Sequence, residues 1–264
     1  MSTTDVTSPP PSIKKGLLYL VPAPLDFACA SQSELHASMP QLTLQTASLI
    51  QYWVCENAKS ARAYLKRIGE IYPLCVPLQS MQLQELPREV HKKGDHQKGF
   101  DARYLLQPAM QGHNVGLVSE AGMPAVADPG SSVVRAAHEI GIQVVPLVGP
   151  VSLLLALAAS GLNGQNFAFV GYVPVQADER AKKISELELL ANKTGQTQIF
   201  IETPYRNAAL LQTLLKTLKP GTRLATASGL TLTDANCYSA EVRHWKNSGW
   251  NLDNSIPTVF MLGV

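Results

Sequence analysis

Cysteine is scarce in this chain. Cys29, Cys55, Cys75 and Cys237 are scattered over 264 residues, with no CxxC pair and no metal-ligand spacing. That removes disulfide scaffolds and zinc ribbons, and makes reduced thiols in the cytoplasm the simplest expectation. An excess of one charge is also lacking. The 22 Lys and Arg face 20 Asp and Glu, for a net charge of +2. Such a balance neither demands nor excludes nucleic acid, because a local basic patch is enough to bind it. No GxGxxG and no Walker loop occur, so dinucleotide and P-loop readings lose support. No GxSxG occurs either, which removes the nucleophile elbow of serine hydrolases. Residues 140–177 carry no Asp, Glu, Lys or Arg, yet Pro146, Gly149, Pro150, Gly161, Asn163, Gly164 and Asn166 interrupt them. A membrane span needs about 20 continuous apolar residues, so only 151–160 reads as a clean apolar helix, of core length. Residues 1–12 are rich in Ser, Thr and Pro and lack the basic start and apolar run of a signal peptide. Residues 1–15 are accordingly read as a disordered tail.

What is present centres on residues 115–130, VGLVSEAGMPAVADPG. Residues 114–119 are short and apolar, as a strand covered on both faces would be. Residues 120–127 turn the chain, with Gly122 free to adopt a positive φ and Pro124 fixing its own. Asp128 suits an N-cap and Pro129 a first helical position, for a helix over 130–140. Ligands in open α/β sheets bind outside the carboxyl ends of strands, where this loop falls. An ordinary strand-to-helix connection would carry the same local pattern.

The rest of the first half alternates. Residues 16–21 read as a strand and 33–47 as helical, broken at Pro40. Residues 49–55 read as a strand, and Asn57 as N-cap of a helix ending near Gly69. Strand character is expected over 71–78 and helix over 100–111. Alternation of this kind predicts a parallel sheet. Between them, 87–99 is the most polar segment, with Arg88, His91, Lys92, Lys93, His96 and Lys98. His91 and His96 are five apart, which suits a solvated loop better than a metal site. Residues 143–147 form one more strand, and Val148-Gly149-Pro150 is the expected junction between domains 16–148 and 149–264. The second half adds the apolar helix, a strand over 167–171, a helix over 178–193, a strand over 197–202 and a helix capped by Thr203-Pro204. Residues 222–228, 237–242 and 258–262 then read as strands with no helical pattern between them, so a mixed sheet is expected.

Loops stand out more than reactive side chains. Strands end in Ser119-Glu120-Ala121-Gly122-Met123-Pro124, in Pro146-Leu147-Val148-Gly149-Pro150-Val151-Ser152 and in Phe200-Ile201-Glu202-Thr203-Pro204. Backbone groups in such turns can read a flat ligand without side chains, which suits a nucleoside cofactor. Ser152 also reads as N-cap of the apolar helix, and residues 153–157 as core. LYLVPAP (18–24), GLVSEAGMPAVADPG (116–130), GIQVVPLVGPVSLLLALAASGL (141–162), FAFVGYVP (167–174), FIETPYR (200–206) and PTVFMLG (257–263) follow one another in this order. In that order and spacing the chain resembles the tetrapyrrole methylase superfamily, and most of all its branch of small-subunit ribosomal RNA cytidine 2′-O-ribose methyltransferases. The resemblance covers nearly everything after the tail.

It implies a two-domain α/β protein, the first domain mainly a parallel sheet and the second a mixed sheet, both with helices. It also implies S-adenosylmethionine as cofactor, held between the domains, and a homodimer. By position, the family's cofactor contacts would fall on Pro22, on Glu120, Ala121, Gly122 and Met123, on Pro150, Val151 and Ser152, and on Phe200 and Ile201. The turn from Ser228, Gly229 and Leu230 to Thr231, with Pro257 and Thr258 in the last strand, would complete the pocket. The chain departs from the branch in places. Ala23-Pro24-Leu25-Asp26-Phe27 replaces T-P-I-G-N, Cys55-Glu56-Asn57-Ala58-Lys59 replaces A-E-D-T-R, and Glu120 stands for an Asp. Ser228-Gly229-Leu230-Thr231-Leu232 replaces R-E-L-T-K and keeps none of its charged residues.

A ribose hydroxyl is a poor nucleophile and wants a base within hydrogen-bond reach. Glu120, Glu56 and Glu202 are the carboxylates nearest the expected strand ends, with Glu120 and Glu56 the candidate catalytic pair. Each reads equally as a loop carboxylate that accepts backbone N–H bonds. Residues 88–98 with Lys59, Arg62, Lys66 and Arg67 would meet RNA phosphates. No metal and no membrane are expected. Two other readings stand beside RNA methylation: methyl transfer to a tetrapyrrole or other small molecule, and a protein that holds the cofactor without catalysis.

Overall fold

The computed structural model describes residues 14–26, 29–87, 89–90 and 100–264. Most of the polar segment 87–99, with His91 and His96, lies outside the described residues. The chain forms two compact units: residues 1–22 with Gln41–Val148, and Ala23–Pro40 with Gly149–Val264.

The first unit is a five-stranded parallel sheet in the order β3-β2-β4-β1-β5. Its strands are β1 (Leu18–Leu20), β2 (Tyr52–Cys55), β3 (Gln82–Glu85), β4 (Val115–Val118) and β5 (Val144–Pro146). Helices that accompany them include α1 (Gln41–Ser48), α2 (Ala58–Gly69), α3 (Gln107–Met110) and α4 (Ser131–Glu139). β4 is central and every residue in it is buried, as its unbroken apolar run requires. Gly116 belongs there because a Cβ at that position would lie 2.6 Å from the indole of Trp53, its register partner on β2. Leu18, Val54, Leu117, Val133 and Ala137 are among the buried residues of this core.

Asn57 caps α2 as expected, accepting from Lys59 N at 2.9 Å and Ser60 N at 3.4 Å. Two other expectations fail. Residues 71–78 form no strand: Ile71 N and Tyr72 N bond back to Ile68 O, and Pro73 and Pro77 have no N–H to give a ladder. The strand is instead Gln82–Glu85, a polar element at the edge of the sheet that pairs with β2. Asp128 is not the cap of α4, since Gly130 holds that position at φ 138° with no side-chain hydrogen bond.

The second unit is a mixed sheet in the order β6-β7-β10-β8-β9. It comprises β6 (Phe167–Tyr172), β7 (Thr197–Ile201), β8 (Arg223–Ser228), β9 (Asn236–Glu241) and β10 (Thr258–Gly263). β6 and β7 are parallel, and every other pair is antiparallel. Its helices are α5 (Ser152–Ser160), α6 (Ala177–Thr194), α7 (Asn207–Thr217) and α8 (Val242–Trp245). Strand alternation sends Phe200, Leu224, Phe260 and Leu262 to a core shared with α6 and α7. Ile199, Ala225, Ala227, Val259 and Met261 face the other way, onto Leu153, Ala156 and Leu157 of α5. Phe200 and Phe260 stack at 5.9 Å and 7°, an arrangement worth about 0.5–1.5 kcal/mol beyond burial. The sequence shows no helical pattern before the last strand, yet α8 forms one turn there by burying Val242 and Trp245. Ser152 is the first residue of α5 and Val151 its N-cap, so the Ser152 cap reading does not hold. Gly161 closes α5 in the left-handed region at φ 70°. Among the described residues no helix is long and apolar enough to cross a membrane.

Candidate functional site

In the first unit the connections from β1 and β4 leave in opposite directions along the sheet. β1 is followed by β2 beyond β4, and β4 is followed by β5 beyond β1. Adjacent strands of this kind open a crevice at their carboxyl ends. Pro22 lies at the end of β1 and Glu120, Ala121, Gly122 and Met123 at the end of β4, so this unit brings that group together. Gly122 takes φ 70°, as its turn needs. The carbonyl of Pro22 accepts from the buried Tyr64 hydroxyl at 2.9 Å, which ties the β1 end to α2.

Carboxylates gather at the same ends. Glu56 follows β2. Glu120 Oε1 is 3.1 Å from the hydroxyl of Ser60, which is also 3.0 Å from Asn57 O. One hydroxyl proton serves one of these acceptors at a time. Asp128 is the third member. Burial and the negative charges of Glu56 and Glu120 push its carboxyl up to about 7, against the opposing hydrogen bond from Ser119. The loop that carries it holds Ala125 at φ 66° and Ala127 at φ 65°, a conformation non-glycine residues seldom take. Sequence reasoning missed Asp128 because Asp before Pro reads as a cap. The signal available was three acidic residues at neighbouring strand ends. The Cys55 thiol, beside them, is pushed up to about 12 by burial and by Glu85, which holds it in the protonated form. All four cysteines are free thiols. Among the described residues no group of three His, Cys, Asp or Glu is arranged to hold a metal.

The second unit carries the other expected residues. Pro150, Val151 and Ser152 lead into α5. Ile201 ends β7, Ser228, Gly229 and Leu230 turn out of β8, and Pro257 and Thr258 open β10. The side chain of Phe200 is fully buried in the core, so only its backbone is left for a ligand. Register places these ends together: Val259 pairs with Ile201, and Thr258 with Ser228. Polar side chains form a row along this edge of the sheet. Ser228 Oγ is 2.8 Å from Thr258 Oγ1, and Asn207 Nδ2 donates to Thr258 Oγ1 at 3.1 Å and to Ile256 O at 2.9 Å. Glu202 follows β7 at the same edge and accepts from Arg206 Nη2 at 2.6 Å. Glu202 Oε2, Asn207 Oδ1 and Thr231 Oγ1 are buried and have no hydrogen-bond partner among the described residues. Thr231 sits at φ 73°, strained for a β-branched residue. Asn207 carries no sequence signal of its own beyond its place at the start of α7.

Comparison with known proteins agrees with this architecture. The family model of tetrapyrrole (corrin/porphyrin) methylases matches residues 42–244. A ribosomal RNA small subunit methyltransferase I of Vibrio cholerae is 36% identical over 139 residues, covering 53% of this chain and 47% of that protein. The protein of the same name from Escherichia coli O157:H7 is 27% identical over 228 residues, covering 86% of this chain and 70% of that one. The matches thus span from about half to about two thirds of those relatives. The crystal structure of the methyltransferase CobJ superposes with a TM-score of 0.53 at 18% identity, over 94% of each chain, which is a likeness of fold. With 203 of its residues inside the family model and both sheets of the expected kind, the chain belongs to the tetrapyrrole methylases.

Proposed function

We propose that this chain transfers a methyl group from S-adenosylmethionine to small-subunit ribosomal RNA, with a ribose 2′-hydroxyl as acceptor. The observation that carries the reading is family membership together with relatives named ribosomal RNA small subunit methyltransferase I. The cofactor is rich in hydrogen-bond donors: an ammonium, two ribose hydroxyls and an adenine amino group. The second unit has the opposite need, with buried acceptors on Glu202 and Asn207 that lack donors. Pro22 and residues 120–123 of the first unit, and Pro150, Val151, Ser152, Ile201, Ser228, Gly229, Leu230, Pro257 and Thr258 of the second, would hold it, with Phe200 contributing backbone alone. When bound it supplies a methyl group already activated on a sulfonium.

The chain's own work is then alignment and proton handling. Alignment of reactants is worth on the order of 7–11 kcal/mol in favourable cases. Glu120 and Glu56 are the proposed acceptors of the hydroxyl proton, within a cluster that Asp128 completes. Lys59, Arg62 and Lys66 are exposed along α2, whose first turn reaches Glu120 through Ser60, and these cations suit RNA phosphates. A homodimer and a cytoplasmic location belong to the same reading. Leu154 and Leu155, 50% and 42% exposed on an apolar helix, support the dimer. Incubation with labelled S-adenosylmethionine and deproteinised or ribosomal small-subunit RNA tests the proposal. Label in RNA supports it. Label in a porphyrin but not in RNA, or tight cofactor binding with no transfer to either, contradicts it.

A further inference from the structure

Glu202 has an asymmetric carboxylate. Its side chain is fully buried, and Oε1 is crowded by donors: Thr203 N at 2.7 Å, Thr203 Oγ1 at 3.2 Å and Arg206 Nη2 at 2.6 Å. Oε2 is equally buried and has none among the described residues. Carboxylate oxygens have comparable appetites for donors, and a buried acceptor left unmade is costly. The fold could have shared its donors between the two oxygens. Instead Thr203 and Arg206 hold one oxygen and so fix the direction of the other. Arg206 is held in turn, because its Nε donates to Thr203 Oγ1 at 3.1 Å.

The position of that free oxygen is informative. Ile201 is paired with Val259, so the next residue along β7 stands beside Thr258, which is paired with Ser228. Glu202, Thr258 and Ser228 are therefore neighbours across three strands of one sheet edge. Asn207 is fastened to Thr258 and its own Oδ1 lacks a donor. Two buried side-chain acceptors without donors among the described residues thus belong to neighbouring residues along the edge where the turn after β8 and the start of β10 meet.

We propose that Glu202 is a ligand of the nucleoside cofactor, with Oε2 accepting a hydrogen bond from one of its hydroxyl or ammonium groups and Thr203 and Arg206 acting as positioning residues for that oxygen. This assignment rests on the methyltransferase reading above. It gives Glu202 a binding role and takes it out of the set of candidate bases, since its free oxygen is occupied by the cofactor.

The test is Glu202→Gln. The three donors on Oε1 force the amide oxygen into that place, so the NH2 must occupy the Oε2 position. The substitution is isosteric yet presents a donor where the ligand also brings a donor. S-adenosylhomocysteine and 5′-methylthioadenosine, which keeps the nucleoside but lacks the ammonium, are titrated by calorimetry into wild type and variant. The expected result is a roughly 10- to 100-fold weaker Kd for S-adenosylhomocysteine in the variant, the size of a lost charge-assisted bond. An equal loss for both ligands assigns the bond to a nucleoside hydroxyl, and a loss for S-adenosylhomocysteine alone assigns it to the ammonium. Binding by wild type with an unchanged Kd in the variant overturns the role of Glu202 and leaves the methyltransferase reading standing. No binding by wild type overturns both. Should the Gln variant not fold, Glu202→Asp keeps the ion pair and withdraws the carboxylate by one methylene. The same loss of affinity is expected there, and unchanged affinity overturns the assignment.

Discussion

The hydroxyl of Ser60 in the first turn of α2 stands 3.1 Å from Oε1 of Glu120 in the loop after β4. This contact joins the helix with the exposed basic face to the loop that carries the family's central motif. Glu120→Gln keeps the shape and leaves Ser60 an oxygen to bond. If Glu120 accepts the substrate proton, kcat falls by on the order of 10²–10⁴-fold. The melting temperature is expected to move little, because one exchange of partly exposed polar groups is usually worth within about 0.5 kcal/mol. Single-turnover kinetics with thermal denaturation in parallel checks both. A kcat within a few fold of wild type assigns the proton to another group.

Asp128 supplies a pH dependence. Its carboxyl titrates at about 7 in the folded chain, against 3.8 ordinarily, because of burial and the facing charges of Glu56 and Glu120. Between those values the native state holds a proton that the unfolded chain has lost. The contribution of this group to stability therefore falls as pH rises from about 4 to 7, and the burial penalty is fully present above 7. Asp128→Asn is expected to stabilise the protein at pH 8, by on the order of a few kcal/mol, with the gain shrinking toward pH 4. Urea denaturation of both proteins across that range measures it. A gain that grows toward acid pH would contradict the sign.

Gly116 tests the packing of the first sheet. A Cβ there meets the ring of Trp53, itself 1% exposed, and the two belong to paired central strands. Gly116→Ala is expected to cost about 1–3 kcal/mol by overpacking. Trp53→Leu is costly by itself, since it empties a buried site and removes the bond from Nε1 to Ile50 O, but in its background Gly116→Ala is expected to cost less than it does alone. Denaturant midpoints of the single and double variants provide the measurement, and a neutral single substitution would show the indole free to move.

The basic face of α2 predicts a salt dependence. Replacing Lys59, Arg62 and Lys66 by Glu is expected to weaken RNA binding and to reduce the slope of log K against log salt by roughly 2–3, at about 0.7–0.9 for each phosphate no longer neutralised. Affinity for S-adenosylhomocysteine is expected to stay within a few fold. Filter binding at several salt concentrations, with calorimetry as control, reads both. An unchanged slope would place the RNA elsewhere.

The two sheets and their character were legible because buried strands advertise themselves. β4 is apolar throughout, and β7, β8 and β10 alternate between two cores. The motifs at their ends fell where turns must. What was not legible is what tertiary context decides. β3 is polar and exists because β2 offers it an edge. Residues 71–78 are apolar enough for a strand, but their prolines and the turn after α2 forbid it. Asp128 reads as a cap in the sequence, because Glu56 and Glu120 are its neighbours only in the folded chain. The polar row of Glu202, Asn207, Ser228 and Thr258 depends on strand register, which spacing along the chain does not state.

The most direct measurement is nucleoside analysis of small-subunit ribosomal RNA by mass spectrometry after reaction with S-adenosylmethionine. One new 2′-O-methylated ribonucleoside, formed by wild type and lost in Glu120→Gln, is the result expected. RNA unchanged under conditions where the protein binds S-adenosylhomocysteine would contradict RNA methylation and send the search to small-molecule acceptors.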